Sequence, residues 1–279
     1  MNRAAVAVPA GGWPLWAVQA RAVVRLELAR RVSPRSLWLL FVAFAPALII
    51  GVHSLHDRSC NLQTDTLVLA SILQLFYVRF AIFFGCLGTA VGALRGEVAE
   101  KTLHYPFLAP IRREVLMAGK FVAGVLTTAA VFGAAVLTCF SLMYGHFAAG
   151  RAFVLEGAGL RHLGAYLVLA ALACVGYSAV FLVFSLLFKN PILPSMLFLL
   201  WEMVNGVLPA WLKHLSVTFY LKPLFPVELR LGGLTNLFTI VAEPIPPWLA
   251  VSGLLAFALA VLAFACWRIR GFEISYSAD

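Results

Sequence analysis

The sequence predicts an all-α membrane protein. It has six transmembrane helices, an N-terminal amphipathic helix at the membrane interface, and short broken or re-entrant helices between spans five and six. Three observations lead there. Of 279 residues, 62% are apolar and 12% charged, whereas a soluble domain is nearer half apolar and a quarter charged. The apolar residues gather in runs close to the ~20 residues that one helical span needs. The basic residues flank those runs, where they set orientation, so the net charge of +9 does not call for a nucleic-acid partner. The whole chain, 1–279, reads as one transmembrane domain.

Residues 13–35 mix apolar residues with Arg21, Arg25, Arg30, Arg31 and Arg35. Leu15, Val18, Ala22, Leu26 and Ala29 share one helical face, which suits a basic helix lying on the inner leaflet. The first span covers about 37–54, and the polar stretch HDRSCNLQTD follows. The second span, about 67–94, would be a helix of ~42 Å. That exceeds a ~30 Å hydrocarbon core, so it tilts or projects. Spans three to five cover about 121–145, 163–187 and 192–211, with Pro191 placed to start the fifth. Residues 212–247 hold seven prolines and glycines, too broken to span and too apolar to float free in water. Short helices shielded by protein are expected there. Span six covers about 248–267, and a polar tail closes the chain.

Six spans put both termini on one side. That side carries fourteen Lys/Arg, in 1–36, 95–120, Lys189 and the tail, against six on the other. The termini and 95–120 are therefore expected in the cytoplasm. The basic segment before the first span is too long for a cleavable signal peptide. Cys60, Cys86, Cys139, Cys174 and Cys266 show no paired spacing, so no disulfide framework or metal knuckle is read from them.

Residues 95–120, RGEVAEKTLHYPFLAPIRREVLMAGK, carry eight of the 33 charged residues between two apolar runs. The stretch has no nucleophile–base pair, no metal spacing and no glycine-rich phosphate cradle. Its helix-capable part holds Glu97, Glu100 and Lys101, and Pro106 and Pro110 stop it. Arg112, Arg113 and Lys120 then lead into the membrane. This suits a docking element, with charges exposed to a soluble partner and a basic anchor at the headgroups.

Glu97, Thr102-Leu103, Pro110, Arg113 and Gly119-Lys120 resemble, with spacing intact, the signature of ABC-2 type transporter permeases. Two positions depart: Lys101 stands for a glycine and Pro106 for a leucine. The six-span layout, the basic N-terminal helix and the broken segment before span six extend the similarity over most of the chain. The resemblance implies the transmembrane subunit of an ABC exporter in a bacterial cytoplasmic membrane. Two permease subunits, identical or related, would enclose the path. Each would couple to a separate ABC ATPase subunit through 95–120, with Glu97, Glu100, Thr102, Pro110, Arg113 and Lys120 as the coupling residues. ATP and Mg would sit on the ATPase, and this chain would hold no cofactor and catalyse no reaction. In agreement, the sequence contains no GxxxxGK[ST] phosphate loop. Within the loop, Glu97 is expected either to pair with a basic residue of the ATPase or to pin the loop to the N-terminal helix.

Arg79 and Glu202 fall inside apolar spans, where ionisable groups are costly and usually face protein or water. Counting ~1.5 Å per residue puts both in the outer half at similar depth. They either pair or line an outer vestibule, or Arg79 snorkels to headgroups and Glu202 is wetted at the outer edge. His53, His56 and Asp57 invite a metal reading, but two histidines and one aspartate need a partner loop. The tryptophans fall mostly near span ends, as in an interfacial belt. Thr127, Thr128, Thr138, Ser141, Ser178 and Ser185 either line a path or bond within their own helices. An ion-coupled secondary transporter is the alternative function, and a membrane-embedded enzyme or a structural anchor for an ATPase stand behind it.

Overall fold

The computed structural model describes residues 13–31, 37–56, 61–100, 111–204, 209–227, 229 and 245–271. These residues form helices and turns and include no strand. In chain order the helices are α1 (Trp13–Arg31), α2 (Leu37–His56), α3 (Leu62–Ala99), α4 (Arg113–Gly145), α5 (Ala148–Leu155), α6 (Gly159–Leu187), α7 (Ile192–Val204), α8 (Ala210–Lys213), α9 (Val217–Leu221) and α10 (Pro247–Arg268). Two 3-10 turns follow α9 and α10, at Lys222–Leu224 and Ile269–Gly271.

Five helices, α2, α3, α4, α6 and α10, are long and apolar enough to cross a membrane. The predicted fifth span, 192–211, contains the 13-residue helix α7, and this is shorter than a span requires. The α3 helix is longer than predicted. It runs 38 residues without a break, with π-helical stretches at Ile72–Ala81 and Gly92–Gly96. Residues 95–99 are its last turns, and 113–120 are the first turns of α4. Within the expected cytoplasmic loop, 95–99 and 113–120 are therefore helix ends. Thr102 and Pro110 lie outside the described residues.

The helix α6 occupies the centre. Within the most apolar window of each helix, 72% of α6 is buried, against 28% of α2 and 22% of α10. Its aromatic residues interlock with α3 and α7: the Phe83 ring meets those of Tyr177, Phe181 and Phe198. Gly176 lets α9 and α10 approach, because a Cβ there would lie 2.8 Å from Val217 Cγ1 and 3.1 Å from Leu254 Cδ1. On α3, Tyr77 donates to the Ala43 carbonyl (2.6 Å) and meets Cys139 Sγ (3.3 Å), tying α2, α3 and α4 together. The outer surface stays apolar: Leu48, Ile49 and Leu55 on α2 and Leu193, Leu197 and Leu200 on α7 are exposed. A soluble monomer rarely carries so large an apolar surface, and lipid is its natural cover.

The α1 helix packs on the N-terminal half of α4. The predicted apolar face is present but points away from the bundle, with Val18 and Leu26 exposed. The face against α4 instead buries Val23 and Glu27. An outward apolar stripe beside exposed Arg21 and Arg25 is the geometry of a helix lying in a membrane interface.

Candidate functional site

The charged residues of the 95–120 region meet at one buried joint. Lys120, 1% exposed, lies between Glu27 of α1 and Glu97 of α3, both buried. Its ammonium donates to Glu27 Oε1 (2.5 Å), Glu97 Oε1 (2.8 Å) and the Ala93 carbonyl (2.9 Å). These three bonds use all three donors of a lysine. Glu97 Oε1 also accepts from Arg30 Nη1 (2.5 Å), so α1 reaches the joint twice. The Ala93 carbonyl lies in the π-helical turn at the end of α3. Such turns often sit at functional sites.

A glycine lies beside the joint. A Cβ on Gly119 would lie 2.6 Å from Val23 Cγ1, so glycine there favours the close approach of α1 that brings Glu27 to Lys120. One turn further, the Arg31 guanidinium lies over Gly124, 3.7 Å from where a Cβ would be. Burial pushes that guanidinium below its ordinary value, and Glu27 and then Cys86 act against the shift.

Further contacts fasten the same end of the bundle, here called the α1 end. Arg95 donates to the Ser185 carbonyl (2.9 Å), linking α3 to α6. Arg113 donates to the Arg270 carbonyl (3.0 Å), and Arg270 pairs with Glu114 (2.7 Å), linking α4 to the turn after α10. Arg112 stacks over the Trp16 ring at 4.6 Å, a cation–π contact. Glu100 and Arg112 are exposed. Glu97, expected among the exposed charges, and Lys120, expected in the basic anchor at the headgroups, are instead buried. Of the two roles expected for Glu97, its contact with Arg30 is the one that pins it to the N-terminal helix.

Glu202, on α7, is buried in a different setting. Its carboxylate accepts from Ser216 Oγ (2.9 Å), Val217 N–H (2.8 Å) and Thr218 N–H (3.0 Å). Those amides open α9, where the N-terminal N–H groups lack partners and favour a negative charge. The contacts make Glu202 the anchor of α9. The edge-wetted reading does not hold for it, because it is 4% exposed. Arg79 and Tyr177 lie in the same electrostatic neighbourhood as Glu202, and no ion pair between Arg79 and Glu202 is among those described.

Thr127, Thr128 and Thr138 bond to carbonyls of their own helix, at 2.8, 3.0 and 2.9 Å. The Ser178 and Ser185 hydroxyls of α6 are buried with no hydrogen-bond partner among the described residues. His53 bonds to Asp65 across α2 and α3 (3.3 Å); Asp57, its expected companion, is outside the described residues. No group of three metal-ligating side chains occurs among the described residues. Sequence reading missed Glu27 and Arg30 as partners of Lys120 and Glu97. The signal was an acidic residue on the face of α1 opposite its apolar stripe. Compared with models of known protein families and with curated proteins, the chain matches none.

Proposed function

We propose that the chain is the permease subunit of an ABC-2 type exporter, lining the path as a dimer and driven by a separate ATPase at the α1 end. The observation that carries this reading is the convergence at Lys120. Three residues of the resemblance, Glu97, Gly119 and Lys120, lie in or beside one buried joint with Glu27 and Arg30. Force applied to the 100–112 connection moves the ends of α3 and α4 together and carries α1 with them. Glu100 and Arg112, exposed beside the joint, are the contact points for the ATPase. The chain leaves α6 at the α1 end and regains that end at the close of α10. A sixth crossing begun by α7 accounts for this, and both termini are then cytoplasmic.

Such a device exchanges two packings biased by nucleotide. The test is purification from native membranes, followed by measurement of ATP hydrolysis by any ATPase that co-purifies. Glu100→Arg with Arg112→Glu is expected to abolish permease-stimulated hydrolysis while leaving the thermal unfolding midpoint near wild type. Glu97→Gln lowers both. Absence of any co-purifying ATPase, together with transport driven by an ion gradient alone, overturns the reading in favour of a secondary transporter. The Ser178 and Ser185 hydroxyls inside the central helix are what that second reading has in its favour, since they offer polar groups to a passing ion.

A further inference from the structure

At the end of the bundle opposite α1, a cleft of about 290 Å³ opens between the end of α4, the short helix α5 and the start of α6. Phe140, Tyr144, Val154 and Leu163 make its walls. Among the described residues, the only charged one lining it is Arg151 of α5, which is exposed. Arg151 has no ion pair or hydrogen bond from its side chain among the described residues. Glu156, five residues on, lies about 140° around a helix from it and so faces elsewhere.

The surroundings define what fits. Leu155, which lines the cleft, and Leu142 beside it in the chain of α4 are exposed apolar residues. It lies at the end of α4 and the start of α6, both longer than a span, which would set it near the headgroups in a membrane. An apolar slot with one cation at its mouth complements an acyl chain joined to a phosphate. Its volume lies just below the about 300–1,000 Å³ of small-molecule sites, room for part of an acyl chain whose remainder stays in the bilayer. Arg161, close to His162 at the start of α6, adds a second positive charge to this border. We infer that the cleft binds one anionic phospholipid, with the phosphate on Arg151 and an acyl chain against Phe140, Val154 and Leu163. A guanidinium suits this role because it meets phosphate through two parallel hydrogen bonds.

The experiment uses the full chain purified in detergent, titrated with phosphatidylglycerol or phosphatidylcholine and read by native mass spectrometry. One phosphatidylglycerol per chain is expected to bind about tenfold more tightly than phosphatidylcholine, whose choline cation offsets the phosphate charge and is repelled by Arg151. Arg151→Gln removes that preference. Val154→Trp, which fills the slot, removes binding of both lipids. Thermal unfolding of each variant without lipid separates loss of binding from loss of fold. Inorganic phosphate at equal concentration does not compete. Equal binding of the two lipids, or a preference that survives Arg151→Gln in a folded variant, overturns the inference. Competition by free phosphate also overturns it, by making the site one for a free anion.

Discussion

Lys120 and Glu202 are both buried ions, yet the protein satisfies them in different ways. Lys120 is held by carboxylates 93 and 23 residues away in sequence. Glu202 is held by a hydroxyl and two amides 14 to 16 residues away. The first setting balances charge with charge across three helices, and it exists only once α1, α3 and α4 have assembled. The second balances charge with backbone dipoles inside one local turn of chain, so it can form as a unit. The difference teaches where each region can move. A joint of side-chain ions from three helices has alternative pairings open to it, whereas a carboxylate bound to the amides of α9 fixes that helix to α7.

The largest expected effect breaks the joint. Lys120→Met leaves Glu27 and Glu97 buried without their shared cation, and removing one partner of a buried pair costs about 3–5 kcal/mol. The folded fraction in detergent should fall sharply. Replacing all three with apolar residues should recover most of the loss, because a buried ion set and a well-packed apolar one are often close in stability. A wild-type unfolding midpoint for Lys120→Met alone would show that the three helices do not depend on it.

The cap should respond less. Glu202→Ala strands the Val217 and Thr218 amides, at about 1–3 kcal/mol. Hydrogen exchange should accelerate over α9 and stay unchanged at the α1 end; exchange that rises at both ends would erase the distinction drawn here. Smaller still, Gly119→Ala forces α1 away from α4 by overpacking, at about 1–3 kcal/mol in a rigid site and toward the low end here because Val23 has a side chain that can yield. Val23→Ala in the same chain should restore the loss, and failure to do so would remove close approach as the reason for glycine.

The same contrast explains what was legible in the sequence. The long spans were readable because a run of ~20 apolar residues has few alternatives. The second span was ended at 94 because Arg95 and Glu97 look like residues seeking water; in the fold α3 continues to Ala99, Arg95 binds the Ser185 carbonyl and Glu97 binds Lys120. Charge was read residue by residue, and a pair 93 residues apart leaves no local trace. On α1 the apolar stripe was legible and faces outward, as a helix on the leaflet requires, whereas the buried contact of Glu27 with Lys120 was not. Of the fifth span, read as 192–211, the helix α7 covers Ile192–Val204, and residues 205–208 lie outside the described residues. Glu202 could be seen as costly from sequence, but its solution, amides of a helix yet to come, could not.

The last effect is read in pH and concerns the surroundings of Glu202. Lys222, in the 3-10 turn after α9, is pushed down to about 7 by burial and then by the positive charges of Arg79 and Lys213, with Glu202 acting against them. An unfolded lysine titrates near ~10.4. Between those values the unfolded chain binds the extra proton and the folded one does not, so stability rises with pH across that window. The unfolding midpoint should therefore climb by a few degrees between pH 7 and pH 9.5, about the span over which the folded lysine is neutral and the unfolded one charged. Lys222→Met should flatten the rise, because its side chain fills similar space without a proton to lose. A rise of the same size in Lys222→Met would place its origin elsewhere. The region around Glu202 would then be no more crowded with positive charge than the α1 joint, and the two would differ only in how far their partners lie along the chain.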